Sequence, residues 1–199
     1  MKKHQPILDQ LFKVLDGFKP QPQAYYDHLA EVLHPQYFPD DQVLFEQGDT
    51  VQHGYFLASG FAISYYYNDQ GEKQVIRIYQ QNEIIKGKSF TQQSPSAEYL
   101  MICADSYVLS VSHQDMETIY ERFPSVAELS RIVLAHREVR ELEHKQLLAK
   151  ETLLMVEAFY KAYPGLSDPG KVLVDADIAS YLLISGRTLR ASRAQLKLT

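Results

Sequence analysis

Apolar positions divide the chain into a helical front, a strand-rich middle and a helical back. Apolar residues recur at three- and four-residue steps over residues 5–34, which predicts two helices separated by Lys19-Pro20-Gln21-Pro22. Over residues 37–112, short stretches rich in Val, Ile, Tyr and Phe alternate with turns that contain Gly, Asn, Asp or Ser. This pattern predicts strands near residues 42–46, 53–58, 60–67, 73–79, 97–102 and 106–112.

The predicted strands are short and closely spaced, and Asn68-Asp69-Gln70-Gly71 forms a hairpin turn between two of them. Many short strands in succession are typical of a double-sheet jelly roll or barrel. A single sheet with one open face fits less well, because many strand positions are apolar on both faces. We therefore predict that residues 1–123 contain N-terminal helices and a β-roll.

Helical periodicity returns after the predicted strands. A short helix is predicted over residues 113–121, and a long helix over residues 124–150 begins at Pro124. The long helix carries a stripe that resembles a coiled-coil seam, formed by Val126, Leu129, Val133, His136 and either Val139 or Arg140. This stripe predicts a homodimer through the long helix, and packing on the chain's own β-roll is the alternative.

Residues 151–199 form the last predicted unit, in which residues 175–196 have the pattern of a helix-turn-helix. Asp175 is placed to cap the first helix and Ser185 the second, with a break between them. One side of the second helix is basic, with Arg187, Arg190 and Arg193 followed by Lys197. Such a helix suits the major groove of DNA, and a helical hairpin with a solvated basic face is equally compatible with these residues.

Composition limits the location and the chemistry. The chain has 199 residues, of which 45% are hydrophobic, and no apolar run approaches the roughly 20 residues that span a bilayer. The first residues do not resemble a signal peptide, and a single cysteine, Cys103, excludes an internal disulfide and a multi-cysteine metal site. We therefore expect a cytoplasmic protein without membrane contact and without a metal.

Charge is distributed unevenly. Residues 1–120 hold 8 Lys and Arg against 15 Asp and Glu, a net charge of −7, whereas residues 121–199 hold 12 against 10, a net charge of +2. An acidic front does not suit general coating of nucleic acid. A basic element confined to the C-terminal end remains compatible with a specific DNA contact.

Six segments carry a family resemblance through their order and spacing: Glu46-Gln47-Gly48-Asp49, Tyr55-Phe56-Leu57-Ala58-Ser59-Gly60, Asn68-Asp69-Gln70-Gly71, Ala97-Glu98-Tyr99, Val111-Ser112-His113-Gln114-Asp115-Met116 and Asp177-Ile178-Ala179-Ser180-Tyr181-Leu182. Together with the order β-roll, long helix, helix-turn-helix, they resemble the Crp/Fnr superfamily of bacterial transcription regulators. The closest resemblance is to the branch common in Bacteroidetes, and it covers roughly residues 25–197.

The resemblance implies an α+β fold in three parts. These are an N-terminal double-stranded β-helix, or jelly roll, of the cyclic-nucleotide-binding type, a long dimerisation helix and a C-terminal winged-helix or helix-turn-helix domain. It also implies a homodimer that binds double-stranded DNA, and it makes RNA polymerase a candidate partner. The candidate DNA-binding residues are Ser185, Arg187, Thr188, Arg190, Arg193 and Lys197.

The candidate ligand pocket departs from the family pattern. Members that bind a cyclic nucleotide hold it with a Gly-Glu pair and an Arg-Ser/Thr-Ala segment. Here Gly87 is not followed by Glu, and the second segment lacks Arg and contains Glu98, which repels phosphate. The residues at these positions are Lys86, Gly87, Lys88, Ser96, Ala97 and Glu98. We therefore expect no cyclic AMP and no other fixed cofactor, and an unidentified effector remains open.

The second helix of the helix-turn-helix departs as well. Leu183 stands where the family commonly has Gly, and left-handed backbone at a residue other than Gly costs roughly 1 kcal/mol. Ala191 stands where the family commonly has a base-reading Arg. The DNA sequence preference of the family therefore cannot be transferred to this chain.

The sequence contains no nucleophile elbow, P-loop, dinucleotide fingerprint or HExxH motif, so we do not expect an enzyme. The favoured hypothesis is a DNA-binding transcription regulator with a degenerate nucleotide site. The alternative is a small-molecule sensor or protein-interaction module whose DNA reader is vestigial.

Overall fold

The computed structural model describes residues 4–198, which form a mixed α+β fold. The helices are α1 (Gln5–Phe18), α2 (Gln23–Val32), α3 (Lys88–Gln92), α4 (His113–Arg122), α5 (Val126–Leu148), α6 (Thr152–Ala162), α7 (Asp175–Tyr181) and α8 (Gly186–Leu196). The strands are β1 (His34–Phe38), β2 (Gln42–Phe45), β3 (His53–Ser59), β4 (Phe61–Tyr67), β5 (Lys73–Gln80), β6 (Glu83–Ile85), β7 (Tyr99–Ile102) and β8 (Ser106–Ser112). A short 3-10 helix, Pro164–Leu166, lies between α6 and α7.

The eight strands form two four-stranded antiparallel sheets that enclose an apolar interior. The strand orders are β1-β8-β3-β6 and β2-β7-β4-β5. Both sheets contribute to the interior cluster, which contains Phe38, Leu57, Ala62, Ile85, Leu100, Ile102 and Val108. The prediction of a double-sheet β-roll is therefore confirmed.

Two strands, β1 and β6, were not predicted from the sequence. β1 contains Pro35 and pairs only with β8, so it is an edge strand, where a proline is tolerated. β6 has only three residues and pairs only with β3. Both strands are too short or too irregular in sequence to show an alternating pattern.

The apolar stripe of α5 is buried at one end and open at the other. Val126 and Leu129 are buried in a cluster with residues of α1 and α4. Further along, Val139 and Leu142 are 50% and 54% exposed. The packing within the chain therefore buries only the first part of this apolar stripe.

The helices after α5 share a hydrophobic core with the outer face of the sheet that ends in β5. Ile63 of β4 and Val75 of β5 belong to one cluster with Phe159 of α6 and Ile178 of α7. α7 runs against β5, which is an edge strand. Residues 151–198 thus pack directly on the roll.

A tight turn joins α7 to α8. The Ile184 N–H donates to the Ala179 carbonyl at 3.0 Å, and the Leu183 N–H donates to the Ser180 carbonyl at 3.1 Å. These are the two bonds of a Schellman cap, which requires a left-handed residue. Leu183 is that residue, with φ of +53°, so the left-handed geometry expected at this position is confirmed.

The two predicted N-caps have different outcomes. The Ser185 hydroxyl accepts a hydrogen bond from the Thr188 N–H at 3.0 Å and caps α8 as predicted. The prediction for Asp175 was wrong: Val174 is the N-cap of α7, and Asp175 is the first residue inside the helix, where its carboxylate accepts a hydrogen bond from Arg193. In the described part of the chain no strand follows β8, so the wing of a winged helix is not seen there.

Candidate functional site

A cavity of about 540 Å³ lies within the β-roll, beside α3 and the loop of residues 94–98. Its size is within the range of pockets that hold small molecules. Five of the six predicted pocket residues line this roll cavity: Gly87, Lys88, Ser96, Ala97 and Glu98.

The sixth predicted residue, Lys86, does not line the roll cavity, and its assignment is corrected. The Lys86 ammonium donates to the Tyr120 hydroxyl at 2.6 Å and lies 5.8 Å from the centre of the Phe90 ring. Ile85 faces the interior of the roll. Because successive side chains of an extended backbone point to opposite sides, Lys86 projects outward, toward α4.

The loop that carries Ser96 is fixed by its own backbone and hydroxyl. The Gly48 N–H donates to the Ser96 carbonyl, and the Ser96 N–H donates to the Asp49 carbonyl, both at 2.8 Å. The Ser96 hydroxyl donates to the Glu98 carbonyl at 2.8 Å. The hydroxyl is therefore engaged within the loop, and the charged group that the loop presents to the cavity is the Glu98 carboxylate.

Two arginines that were not selected from the sequence, Arg77 of β5 and Arg137 of α5, also line the roll cavity. Both pair with Glu141 of α5, Arg77 through Nη2 and Arg137 through Nε at 3.5 Å. Arg77 Nη1 lies 3.7 Å from a Glu98 oxygen. Burial works to lower the pKa of Arg77, but Tyr79, Glu98 and Glu141 outweigh it and raise the pKa above its ordinary value. The guanidinium therefore stays charged.

The sequence did hold a signal for Arg77. It is the one charged residue within residues 75–79, which are otherwise apolar or aromatic. Charged side chains are rarely placed in such a strand unless they are paired or functional.

A second candidate surface is the exposed side of α8. Arg187, Arg190 and Lys197 are exposed there, and Ser185 is exposed at the N-terminus of the helix. Thr188 is half-buried, and its hydroxyl lies 2.8 Å from the Ser185 hydroxyl. Five of the six predicted DNA-binding residues thus lie on or beside one accessible surface.

The sixth residue, Arg193, is buried, which corrects its placement on the basic side. Its side chain is 5% exposed and donates from Nη2 to the Asp175 carboxylate at 2.6 Å and from Nη1 to the Tyr160 hydroxyl at 3.4 Å. Residues three apart differ by about 60° around the helix axis, so the series 187, 190, 193 drifts around the helix. Arg193 ends only about 40° from Leu189, which is four residues earlier. Leu189 is fully buried, and Arg193 lies beside it at the edge of the packed side.

Several other chemistries lack support in the described residues. Among residues 4–198, no three His, Cys, Asp or Glu side chains come together as a metal site. None of the helices in that range combines the length and apolar character needed to cross a membrane. Burial raises the pKa of the Cys103 thiol to about 12, which keeps it protonated and poorly nucleophilic.

The class of fold follows from comparison with known proteins. Residues 35–123 match the family model of the cyclic nucleotide-binding domain, which covers the β-roll and α4. A search of curated proteins found no match to the chain.

Solved structures extend the similarity to most of the chain. FixK2 from Bradyrhizobium japonicum has a TM-score of 0.70 at 18% identity, covering 83% of this chain and 85% of that one. The regulator CLP from Xanthomonas campestris has a TM-score of 0.64 at 12% identity, covering 88% and 92%. The catabolite activator protein from Thermus thermophilus has 0.54 at 18% identity, covering 90% and 85%.

These three neighbours are Crp/Fnr-family regulators, and at such identities the similarity establishes a shared fold. The chain therefore has the fold of Crp/Fnr-type regulators, with a cyclic nucleotide-binding domain at residues 35–123. The assignment to the Bacteroidetes-type branch stays a prediction from the sequence.

Proposed function

We propose that the protein is a homodimeric, cytoplasmic transcription regulator of the Crp/Fnr type, with α7 and α8 as a helix-turn-helix that binds DNA. The β-roll does not bind cyclic AMP in this proposal. RNA polymerase is a further partner that rests on the family resemblance alone.

The observation that carries the proposal is the open basic side of α8. Arg187, Arg190 and Lys197 are exposed, and Ser185 fixes the start of the helix by capping it. The opposite side packs through Leu189, which is fully buried, so the helix is held rigidly with its basic side outward. Rigid presentation of arginines from a short helix is the geometry with which helix-turn-helix proteins enter the major groove.

Removal of two of these charges tests the DNA contact. The variant Arg187→Ala/Arg190→Ala should bind the promoter region of the protein's own operon more weakly in a gel shift. Its slope of log affinity against log salt should fall by about 2, because each lost phosphate contact removes about 0.9. The matched control is Lys161→Ala/Lys171→Ala, which removes two exposed charges outside α8. Equal binding by both variants would show that α8 is not the reading helix.

The homodimer is supported by the open part of the α5 stripe. Val139 and Leu142 are large apolar residues that remain exposed in the single chain, and a second copy of α5 would bury them. Sedimentation should show a dimer for the wild type and a monomer for Val139→Glu/Leu142→Glu. Glu138→Gln, at an exposed neighbouring position, should remain dimeric. A dimer that survives the double substitution contradicts this interface.

Two features argue against cyclic AMP as the ligand. The loop of residues 94–98 presents Glu98 rather than an arginine to the roll cavity, and Lys86 lies outside the cavity. Calorimetric titration with cyclic AMP and cyclic GMP should therefore give no micromolar binding. Micromolar affinity for either nucleotide would overturn this part of the proposal.

The second candidate function is a small-molecule sensor or protein-interaction module with a vestigial DNA reader. It is favoured by the large roll cavity together with the burial of Arg193, which removes one of the predicted DNA contacts. Gel shifts against genomic fragments at low salt separate the two functions. Specific binding supports the regulator, and its persistent absence supports the second candidate.

A further inference from the structure

We propose that Ser64 and Arg77 form an anion-binding subsite in the roll cavity, for a small ligand with an acidic group and a compact aromatic body. The subsite is formed by the β4–β5 wall, whereas the family pattern locates the phosphate on the neighbouring loop of residues 94–98. This inference goes beyond the proposed function and does not depend on DNA binding.

The register of β4 and β5 brings the two residues together. Ser64 and Arg77 are direct partners across the two strands, and both line the roll cavity. Side chains of directly opposed residues project from the same face of a sheet. The pairing shifts after this point, because Tyr65 is opposite Val75 and Ile76 is left as an extra residue.

This β-bulge decides where Arg77 points. Val75 and Ile78 both pack in the outer cluster with the C-terminal helices, although they are three residues apart. The two residues between them, Ile76 and Arg77, both line the cavity. A bulge of this kind re-aims a side chain, and bulges are frequent beside binding sites.

Three polar atoms of this pair lack hydrogen-bond partners. The Ser64 hydroxyl, with its residue 1% exposed, and the Nε and Nη1 groups of Arg77 are buried and find no acceptor or donor within residues 4–198. The 3.7 Å separation between Nη1 and Glu98 is too long for a hydrogen bond. Buried polar groups in native proteins are normally hydrogen-bonded, so these three atoms can accept partners from a ligand in the cavity. Two guanidinium donors and one hydroxyl are complementary to the oxygens of a phosphate or carboxylate.

The charge around the site leaves room for an anion. Arg77, Arg137 and Lys88 line the cavity with positive charge, against Glu98 in the wall and Glu141 at the arginine pair. Glu141 occupies only the Nη2 side of Arg77, so it competes with an incoming anion without filling its position.

The rest of the wall specifies the body of the ligand. It is formed by aromatic and aliphatic side chains, including Phe45, Tyr55, Tyr66, Tyr79 and Leu100. Such a lining favours a flat apolar group, and the volume of about 540 Å³ accommodates one ring with its acidic substituent.

Phenyl phosphate is the probe for the test, with inorganic phosphate and phenol as the partial ligands. Calorimetric titration of the full chain should show binding of phenyl phosphate at concentrations below about 10 mM and weaker binding of both partial ligands. Arg77→Gln should weaken the affinity for phenyl phosphate roughly tenfold or more, because it removes a charged donor. Ser64→Ala should weaken it by a few-fold. Arg122→Gln, at an exposed site on α4, should bind as the wild type does.

A second variant is expected to increase the affinity, so its result cannot be explained by loss of folding. Glu141 is 44% exposed on α5, and Glu141→Gln removes the carboxylate that pairs with both cavity arginines, Arg77 and Arg137. It should bind phenyl phosphate several-fold more tightly, whereas Glu138→Gln, on the same helix and exposed, should not. The proposal is overturned if phenyl phosphate does not bind, if Arg77→Gln leaves its affinity unchanged, or if Glu141→Gln does not increase it. Since each readout is ligand binding, failure here leaves the DNA-binding proposal untouched.

Discussion

The hydroxyl of Ser180 on α7 accepts a hydrogen bond from the Val75 N–H of β5 at 2.9 Å. The same hydroxyl donates to the Lys73 carbonyl at 3.0 Å, so one side chain satisfies two backbone groups of an edge strand. Beside it, the Lys73 ammonium lies 3.0 Å from the Asp177 carboxylate. Helix α7 therefore takes the place of a neighbouring strand and is fixed to the β-roll.

Loss of the Ser180 hydroxyl should weaken the contact between α7 and β5. In Ser180→Ala the Val75 N–H and the Lys73 carbonyl lose their partner at a partly buried position, which costs about 1 kcal/mol. The Val75 amide should exchange its hydrogen faster by NMR, and the free energy of unfolding should fall. Ser167→Ala, which removes an exposed hydroxyl bonded only to the Pro164 carbonyl, should change neither. Unchanged protection of the Val75 amide would show that the bridge does not hold α7 in solution.

Substitution of the buried arginine of α8 should lower stability, whereas substitution of an exposed one should weaken DNA binding. Arg193→Gln removes the nearer of the two arginines that pair with the Asp175 carboxylate and leaves only Arg190, at 3.8 Å, so it should lower the free energy of unfolding by about 2 kcal/mol. The value is at the low side for an ion pair because Asp175 is 23% exposed. Arg187→Gln, on the exposed side, should change stability by less than about 0.5 kcal/mol and weaken DNA binding. Urea unfolding and gel shifts measure the two quantities, and equal stability of both variants would contradict the buried pair.

Leu183 should be a site where glycine stabilises. Its φ of +53° is strained for leucine and free of strain for glycine, and the side chain is 69% exposed, so little packing is lost. We expect Leu183→Gly to raise the stability by roughly 1 kcal/mol and the melting temperature by a few degrees. Leu154→Gly provides the contrast, since Leu154 is a 53% exposed residue within α6, where glycine should destabilise by about 1 kcal/mol. A fall in the melting temperature of Leu183→Gly would refute the strain argument.

His144 should make the stability of the C-terminal region depend on pH. Its ring stacks on Tyr181 with centres 4.0 Å apart, and its Nε2 donates to the Tyr181 carbonyl at 3.0 Å. Burial lowers the pKa of His144 in the folded chain, although the hydrogen bond to Tyr181 partly opposes this shift. The unfolded chain therefore binds the proton more readily than the folded chain.

The sign of the effect follows from that difference. Neutral His144 makes its full contribution to the free energy of unfolding above a pH of about 6.5, which is the pKa of the unfolded chain. This contribution is lost as the pH falls from there through the lower pKa of the folded chain. His144→Phe retains a ring for stacking but cannot be protonated. Urea unfolding at several pH values below neutrality should show a smaller loss of stability for His144→Phe than for the wild type. Parallel curves would mean that His144 does not contribute.

Much of the fold could be predicted because local patterns encode it. The alternation of apolar residues over 37–112 predicts the strands, and the three- and four-residue steps predict the helices. Ser185 caps α8 with its own hydroxyl, three residues from the N–H that it binds. These features depend on neighbours within one helical turn or one strand.

The candidate sites depended on contacts that no local pattern contains. Strict alternation from Val75 would place Arg77 on the outer face of the roll, and only the bulge at Ile76 turns it into the cavity opposite Ser64. The spacing on α8 likewise grouped Arg193 with Arg187 and Arg190. In the structure α8 packs against α6 and α7, and Arg193 donates hydrogen bonds to Tyr160 and Asp175. The sequence by itself determined the succession of helical and strand-rich segments and the Ser185 cap of α8, since these follow from short-range periodicity and from a bond between residues three apart. The tertiary structure decided which charged groups are buried, because strand register and helix contacts join residues that are far apart in the chain.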